Sequence, residues 1–263
     1  MTESVTTQQQ TQFKVLLIGD SCTDEYYYGT VDRLNPEAPV PILSFKYRET
    51  KPGMAANVNA NLKSFGINVE FKTNSQRIVK TRYIDQRSGQ HLLRMDTEDT
   101  VKPFADKIVY LTDFDAVVFS DYNKGFVSEE LITGIRRHYK GPIFIDTKKT
   151  DLAKFEGCYV KINSLENSLA KSLPTELIVT MGKDGAMYKD TLYPTPRVEV
   201  FDVCGAGDTF LAALVSEFLN TRDIKQAINF ANYAAGKTVQ HSGVYALTAQ
   251  DITDIYASIS NGP

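Results

Sequence analysis

Five short apolar runs, separated by helical patterns, constrain the fold of this chain more than any other feature. They are Lys14–Asp20, Ala116–Ser120, Pro142–Asp146, Tyr159–Asn163 and Leu177–Met181. Runs this short and apolar are typical of strands buried on both faces of a parallel sheet. Ligands bind at the carboxyl edge of such sheets, and four of the runs end on or just before a polar residue: Asp20, Asp121, Asp146 and Asn163.

Amphipathic patterns between and after these runs predict helices. They cover 54–65, 129–139, 208–219, 224–240 and 249–259. Ser128 is a typical N-cap for the second helix, and two acidic residues follow it, where the helix dipole favours negative charge. Strands that alternate with helices predict an α/β fold in which helices cover both faces of a mostly parallel sheet.

Two stretches depart from this alternation and predict a small antiparallel β lid. Residues 25–50 are rich in tyrosine, proline and β-formers, and residues 76–97 read as two strands around Ser88-Gly89, a hairpin signal. The Thr/Gln-rich residues 1–12 are interpreted as a flexible tail, and 13–260 as a single domain.

Composition excludes several classes of protein. A chain of 263 residues is sufficient for one or two domains. Its net charge of −3 and pI of about 5.7 argue against a nucleic-acid binder. No apolar run approaches the roughly 18 residues that cross a bilayer. Three scattered cysteines and a tail without an apolar signal core predict a cytoplasmic protein without a zinc site or disulfide framework.

The sharpest motif is Asp202-Val-Cys-Gly-Ala-Gly-Asp208, directly before an apolar helix. Glycine lets backbone approach a ligand closely, and amides at a helix N-terminus form an anion site suited to phosphate. Asp208 at this place is suited to accepting a proton from an attacking hydroxyl. It is equally suited to capping the helix, so the local pattern leaves both roles open.

Four motifs in order resemble those of the ribokinase-like (PfkB) carbohydrate kinases. They are Gly53-Met-Ala-Ala-Asn57, Asn163-Ser-Leu-Glu166, Thr180-Met-Gly-Lys-Asp-Gly185 and the Asp202–Asp208 signature. The resemblance covers most of residues 14–250. It implies a three-layer α/β/α sandwich with a β lid. Met54 stands where the family pattern has a second glycine.

Within that family the likeness is closest to the D-glycero-β-D-manno-heptose-7-phosphate kinases of ADP-heptose synthesis. The most specific string is Asn35-Pro-Glu-Ala-Pro-Val-Pro41, in the expected lid. It is supported by Gly19-Asp20-x-x-x-Asp24, Arg94-x-Asp96 and Ser120-Asp-Tyr-Asn-Lys-Gly125. The implied reaction is phosphorylation of D-glycero-D-manno-heptose 7-phosphate at O1.

The resemblance also implies individual roles. Asp208 would be the catalytic base, and the amides of Gly205, Ala206 and Gly207 would stabilise the transferring phosphoryl group. The sugar would be bound by Asp24, Gly53 and Asn57. The nucleotide would lie against Asn163, Glu166, Thr180, Gly182 and Gly185.

The implied cofactors are Mg²⁺ and the co-substrate ATP. Glu166 and Asn163 would hold Mg²⁺ through water, because this ion gives up its hydration reluctantly. Asp202 would help to bind a monovalent cation such as K⁺. A sugar phosphate also needs a cationic partner, for which the candidates are Lys80, Arg82, Arg94, Lys124 and Lys148. Of these, Arg82, Arg94 and Lys124 are predicted to bind substrate.

The sequence therefore predicts a Mg·ATP-dependent sugar-phosphate kinase that dimerises through its lid. Another sugar or nucleoside kinase of the same family remains an alternative. A second alternative is a catalytically silent sugar or nucleotide binder that kept the fold. A dinucleotide-dependent oxidoreductase is a weaker one, because Gly19-Asp-Ser-Cys-Thr-Asp24 lacks the further glycines of the fingerprint expected after a first strand.

Overall fold

The computed structural model describes residues 13–97, 100–106, 108 and 110–260. The predicted tail, 1–12, lies outside the described residues. Within these ranges the main sheet has eight strands, which in chain order are β1 (Lys14–Gly19), β4 (Asn68–Thr73), β7 (Ala116–Asp121), β8 (Ile143–Thr147), β9 (Tyr159–Asn163), β10 (Leu177–Thr180), β11 (Ala186–Tyr188) and β12 (Thr191–Tyr193). Their order across the sheet is β12-β11-β10-β9-β8-β7-β1-β4.

Six neighbouring strands are parallel: β4, β1, β7, β8, β9 and β10. Strands β11 and β12 add an antiparallel hairpin at the β10 edge. All five apolar runs form strands of this parallel part. Because neighbouring side chains of a strand point to opposite faces, alternate residues of β1 enter different cores. Val15 and Leu17 pack on one side of the sheet, and Leu16 and Ile18 on the other.

Helices cover both faces, as the alternation predicts. In the part of the chain that the structure describes they are α1 (Ala55–Ser64), α2 (Glu129–His138), α3 (Ser164–Leu169), α4 (Ala206–Thr221), α5 (Ile224–Thr238) and α6 (Ala249–Ser260). Buried residues of α1, α4, α5 and α6 join the core of one face, and those of α2 join the core of the other. The predicted cap is present, since Ser128 Oγ accepts a hydrogen bond from the Leu131 amide at 3.1 Å. None of the described helices is long and apolar enough to cross a membrane.

The described part of the lid is a separate sheet of four strands, β2 (Ser21–Leu34), β3 (Pro41–Met54), β5 (Val79–Asp85) and β6 (His91–Asp96). Their order across the sheet is β3-β2-β5-β6. The two outer pairings are antiparallel, but β2 and β5 at its centre pair in parallel. The chain enters the lid directly from β1 and returns from it directly into α1. The lid is therefore anchored beside the carboxyl edge of the main sheet, where ligands of such folds bind.

Candidate active site

The signature forms a turn and the first residues of α4. Gly205 has φ of +76°, a left-handed conformation that favours glycine, and it is the N-cap residue of the helix. The helix begins at Ala206, two residues before the predicted start. Asp208 therefore lies inside the first turn, and the interpretation of this residue as the N-cap is wrong.

Both glycines of this turn are in close contact with neighbouring side chains. A Cβ atom on Gly205 would lie 2.7 Å from Nδ2 of Asn57, and one on Gly207 would lie 3.0 Å from Nζ of Lys161. Side chains at these positions would displace a polar group from the site. The glycines thus let Asn57 and Lys161 approach the backbone amides at the start of the helix.

The Asp208 carboxylate is buried and accepts two side-chain hydrogen bonds. Asn57 Nδ2 donates to Oδ2 at 3.0 Å, and the Tyr122 hydroxyl donates to Oδ1 at 2.7 Å. Burial raises the pKa of Asp208 to about 6, although these two donors oppose the shift. A carboxylate with such a pKa is largely ionised at neutral pH and is a stronger base than an exposed aspartate.

A cleft of about 130 Å³ opens beside this carboxylate, and we call it the Asp208 cleft. It is lined by Asp121, Tyr122, Asp146, Lys148, Lys161, Asn163, Glu166, Gly205, Gly207 and Asp208. The cleft lies at the carboxyl ends of β7, β8 and β9, where the sequence pattern placed polar residues. It brings together a candidate base, two ammonium groups and the glycine backbone of the anion site.

Lys161 supplies a buried positive charge to this cleft. Its Nζ lies 2.8 Å from Asp146 Oδ2. Burial by itself favours the neutral amine, but the carboxylates of Asp146, Asp208 and Glu166 together outweigh that effect and raise the pKa of Lys161, so the amine stays protonated. Sequence reasoning missed this residue. Its signal was a single lysine inside the apolar strand β9.

Asn163 and Glu166 form a capping box at the start of α3. Asn163 Oδ1 accepts the Glu166 amide, and Glu166 Oε2 accepts the Asn163 amide, both at 2.8 Å. Glu166 Oε1 also accepts Lys148 Nζ at 2.7 Å. With three aspartates lining the same cleft, this oxygen-rich surface fits Mg²⁺ held through water. No cage of three or more metal-ligating side chains occurs among the described residues.

A larger pocket of about 640 Å³ adjoins the Asp208 cleft, and Gly207 lines both. Three of the predicted nucleotide-binding residues, Thr180, Gly182 and Gly185, lie in its wall. The opposite wall was not predicted from the sequence. It consists of residues 195–198 and 200, a segment without regular structure, and of Asn232, Ala235, Gly236 and Val239 at α5. Small residues on a helix carry no signal that separates a ligand wall from ordinary packing.

On the lid side of the site, Asp24 and Arg82 form a buried ion pair. They lie on the neighbouring strands β2 and β5, and Arg82 also packs over the Tyr26 ring at 5.3 Å. Gly53 adjoins the same carboxylate, because a Cβ atom there would lie 2.0 Å from Asp24 Oδ2. The structure therefore brings together three of the predicted sugar-binding residues, Asp24, Gly53 and Arg82. A fourth, Asn57, is hydrogen-bonded to Asp208.

Two predicted substrate residues are bound to other partners in the described structure. Arg94 is opposite Arg82 on the outer lid strand, but its half-exposed guanidinium forms a two-pronged pair with Asp96 at 2.6 and 2.7 Å. The backbone amide of Lys124 donates to Asp20 at 3.3 Å, and the residue lines neither cavity described above. Both residues belong to the motifs of the sequence analysis, but a motif does not show which partner a side chain binds.

Asp202 stabilises the signature turn. Its Oδ1 accepts the Cys204 amide at 3.0 Å, and its Oδ2 accepts the Gly243 amide at 2.8 Å. Burial works against the charge, but these amide donors outweigh it and lower the pKa of Asp202. Both oxygens are thus engaged by backbone, and a monovalent cation at this place would share them.

Comparison with known proteins identifies the family of part of the chain. Residues 150–251 match the family described as pfkB family carbohydrate kinase. Residues 150–251 therefore belong to the pfkB family of carbohydrate kinases. The predicted recognition is confirmed, and the matched range holds the Asn163–Glu166, Thr180–Gly185 and Asp202–Asp208 motifs.

Two curated relatives are similar over nearly the whole chain. Bifunctional protein HldE of a Nitratiruptor species is 30% identical and aligns with 95% of this chain and 66% of its own length. Bifunctional protein HldE of Coxiella burnetii is 28% identical, and the alignment covers 91% of this chain and 62% of that protein. The chain thus spans just under two thirds of the length of these relatives.

Solved structures confirm the ribokinase-like fold. Ribokinase of Thermotoga maritima superposes with a TM-score of 0.71 at 13% identity, over 94% of this chain and 100% of that one. Phosphofructokinase-2 from Escherichia coli in complex with potassium superposes with a TM-score of 0.71 at 15% identity, over 95% of this chain and 99% of that one. At these identities the likeness concerns the fold alone. The predicted α/β class with a mostly parallel sheet is therefore correct.

Proposed function

We propose that this pfkB-family domain is an ATP-dependent sugar kinase that phosphorylates D-glycero-D-manno-heptose 7-phosphate at O1, in the cytoplasm. The observation that carries the kinase assignment is the position of Asp208. It lines the Asp208 cleft directly beside Gly207, the residue that this cleft shares with the larger pocket. The choice of heptose rests on the resemblance of the Asn35–Pro41 string and its companions. The similarity to two proteins named HldE supports the same choice.

In this proposal the larger pocket takes the nucleotide, and its phosphates extend past Gly207 into the Asp208 cleft. Asp208 accepts the proton of the sugar hydroxyl as that oxygen bonds to the γ-phosphorus. The bond from this phosphorus to the bridging oxygen breaks, and ADP leaves. The backbone amides of Gly205 and Gly207 and the ammonium of Lys161 would face the charge that develops on the transferring group. The amide of Ala206, which the resemblance also assigns to this role, instead donates to the Val203 carbonyl at 3.3 Å.

The fit of the Asp208 cleft to a hydrated divalent ion supports Mg²⁺ as the cofactor. Asn163 and Glu166 would hold it through water, and when bound it neutralises phosphate charge. Their own contribution is to keep the mouth of the cleft rigid through the capping box, and to orient Lys148 toward the phosphates. We further propose that K⁺ assists at Asp202 and shares oxygens that already hold Cys204 and Gly243.

The test is ADP release from Mg·ATP with the heptose 7-phosphate, fructose 6-phosphate and ribose offered separately. Asp208→Asn should lower turnover at least about 10²-fold, because it removes the proton acceptor. Asp190→Asn is the matched control. Asp190 is exposed in the turn between β11 and β12 and has a positive φ, which asparagine tolerates.

The outcomes separate the parts of this proposal. Wild-type turnover in Asp208→Asn would remove Asp208 as the base. Turnover on another sugar would replace the substrate and keep the mechanism. ATP binding without ADP release on a wider sugar panel would favour the alternative of a silent sugar or nucleotide binder with this fold.

We also propose that the chain forms a homodimer through the lid. The outer lid face exposes a row of large apolar side chains, and it includes Phe45, Leu93 and Met95. Such a patch on a small sheet is typical of an interaction surface. A second copy of the lid would cover it.

A further inference from the structure

Tyr122, which none of the motif-based roles includes, lies where the lid, the main sheet and α4 meet. It directly follows β7, and two buried aspartates hold its loop. The Asp20 carboxylate accepts the backbone amides of Tyr122 at 2.8 Å, Lys124 at 3.3 Å and Phe126 at 3.2 Å. Asp121 Oδ1 accepts the amide of Asn123 at 2.9 Å. With four of its amides held in this way, the loop presents Tyr122 in a fixed position.

The hydroxyl of Tyr122 engages the proposed base. It donates to Asp208 Oδ1 at 2.7 Å, while Asn57 donates to the other oxygen at 3.0 Å. Two donors on two oxygens fix the plane of the carboxylate. Each oxygen keeps a further lone pair, so the sugar hydroxyl can still donate to it.

The ring of Tyr122 engages two cations from different sheets. Lys80 comes from lid strand β5, and Lys148 follows β8 of the main sheet. Each ammonium lies 5.2 Å from the centre of the Tyr122 ring, within the range of cation–π attraction. Lys148 also lines the Asp208 cleft. The ring thus gathers positive charge beside the place where anionic groups would bind.

We propose that Tyr122 is a positioning residue with two separable parts, a hydroxyl that holds the Asp208 carboxylate and a ring that holds Lys80 and Lys148 beside the anionic substrates. The inference rests on the proposed kinase function and adds a residue to its machinery. Asp20 and Asp121 support Tyr122 through the backbone.

The hydroxyl part predicts a pH effect with a definite sign. The groups that face Asp208 are Asn57 and Tyr122 as donors, and Asp146 and Lys161 as charges. Burial raises the pKa of Asp208 to about 6, and the Tyr122 hydrogen bond stabilises the ionised form and limits the rise. Without that bond the pKa rises further, so the base stays protonated up to a higher pH.

Tyr122→Phe removes the hydroxyl and keeps the ring. We expect the acidic limb of kcat/KM to move up by about one pH unit, with the rate at about pH 6 falling about fivefold and little change above about pH 8. The KM values for Mg·ATP and for the sugar phosphate should stay within about twofold of wild type. Tyr233→Phe, a matched change on α5, should leave the profile unchanged.

Tyr122→Leu removes the ring as well. Lys80 then loses its aromatic partner, and Lys148 keeps its pair with Glu166. We expect KM for Mg·ATP and for the sugar phosphate to rise about fivefold or more, in addition to the pH shift. Circular dichroism and thermal melting of both variants check that they fold. A folded Tyr122→Leu with unchanged KM values would overturn the ring part.

A titration that needs no turnover separates this inference from the proposed function. Ligand-free protein carrying ¹³C-labelled aspartate carboxyls is titrated by NMR, and the Asp208 signal is identified by its loss in Asp208→Asn. Its pKa should be higher in Tyr122→Phe than in wild type. An unchanged pKa would overturn the hydroxyl part. A higher pKa in a protein without kinase turnover would keep the contact and reject the kinase.

Discussion

At the scale of single residues, Gly53 shows how closely the sugar side of the site is packed. A Cβ atom at this position would lie 2.0 Å from Asp24 Oδ2 and 2.6 Å from Cys22 Sγ. The glycine is therefore required by the space that the Asp24–Arg82 pair occupies. Its conformational freedom is secondary, because its φ is not positive.

Gly53→Ala should move Asp24 away from the site. We expect a loss of sugar affinity of at least about tenfold, and a loss of stability of about 1–3 kcal/mol from overpacking. Isothermal titration with the sugar phosphate and urea unfolding measure the two effects. Gly134→Ala in α2 is the matched control, since a Cβ atom there meets nothing within 4 Å. That change should instead stabilise the protein by up to about 1 kcal/mol. Unaltered sugar binding in Gly53→Ala would contradict this account of the pocket.

Met54 departs from the family pattern and shows the physical consequence of doing so. It has φ of +58° and ψ of −133°, a backbone conformation that residues other than glycine rarely adopt. Its side chain is buried in the core on the α2 face of the sheet. The packing of the Met54 side chain in this core therefore offsets the energetic cost of its strained backbone.

At the scale of elements, the lid is joined to the signature turn through the loop before α6. Lys51 Nζ on β3 donates to the carbonyls of Ser242 at 3.1 Å and Val244 at 3.4 Å. The Val244 amide donates to the Tyr26 hydroxyl at 3.3 Å, and the Gly243 amide donates to Asp202. One loop thus connects two lid strands to the residue that shapes the anion site.

Lys51→Met should loosen this connection. The loop carbonyls then lose their ammonium partner, and we expect faster amide hydrogen exchange at Gly243 and Val244 and a several-fold higher KM for the sugar. Global stability should change by less than about 1 kcal/mol, because the contact is partly exposed. Lys46→Met, on the exposed part of the same strand, is the control. Wild-type exchange at Gly243 in Lys51→Met would show that other contacts hold the loop.

At the scale of the whole molecule, the outer lid face determines the expected assembly. Tyr27 packs against Phe45 and Tyr83 there, with ring centres 6.0 and 5.3 Å apart. Leu93, which pairs with Tyr83 across the strands, is 59% exposed. Apolar surface of this kind is removed from water when two copies pair.

Sedimentation velocity at micromolar concentration should therefore show a dimer. The double change Phe45→Lys and Leu93→Lys should produce monomers, because it places four charges in a paired interface. Leu192→Lys on β12, an exposed leucine at the far edge of the main sheet, should leave the dimer intact. A monomeric wild-type protein would reject the lid interface.

The sequence by itself determined the elements whose signals are local. Apolar runs predicted the central strands, the apolar periodicity predicted the helices, and Ser128 predicted the N-cap of α2. These predictions were possible because hydrogen bonds within a helix and burial along a strand depend on residues close in sequence. The Gly205–Asp208 turn was recognisable for the same reason. Short strands without such runs, β11 and β12, carried no comparable signal.

Only the tertiary structure decided which of these residues meet. Tyr122 and Asp208 are separated by 86 residues along the chain, yet they share a hydrogen bond. Lys80 and Lys148 converge on one ring from two different sheets. The parallel pairing of β2 with β5 depends on how the chain crosses between them. Local patterns state which residue types are present, whereas the partner of each polar group follows from the packing of whole elements, which no short string of residues encodes.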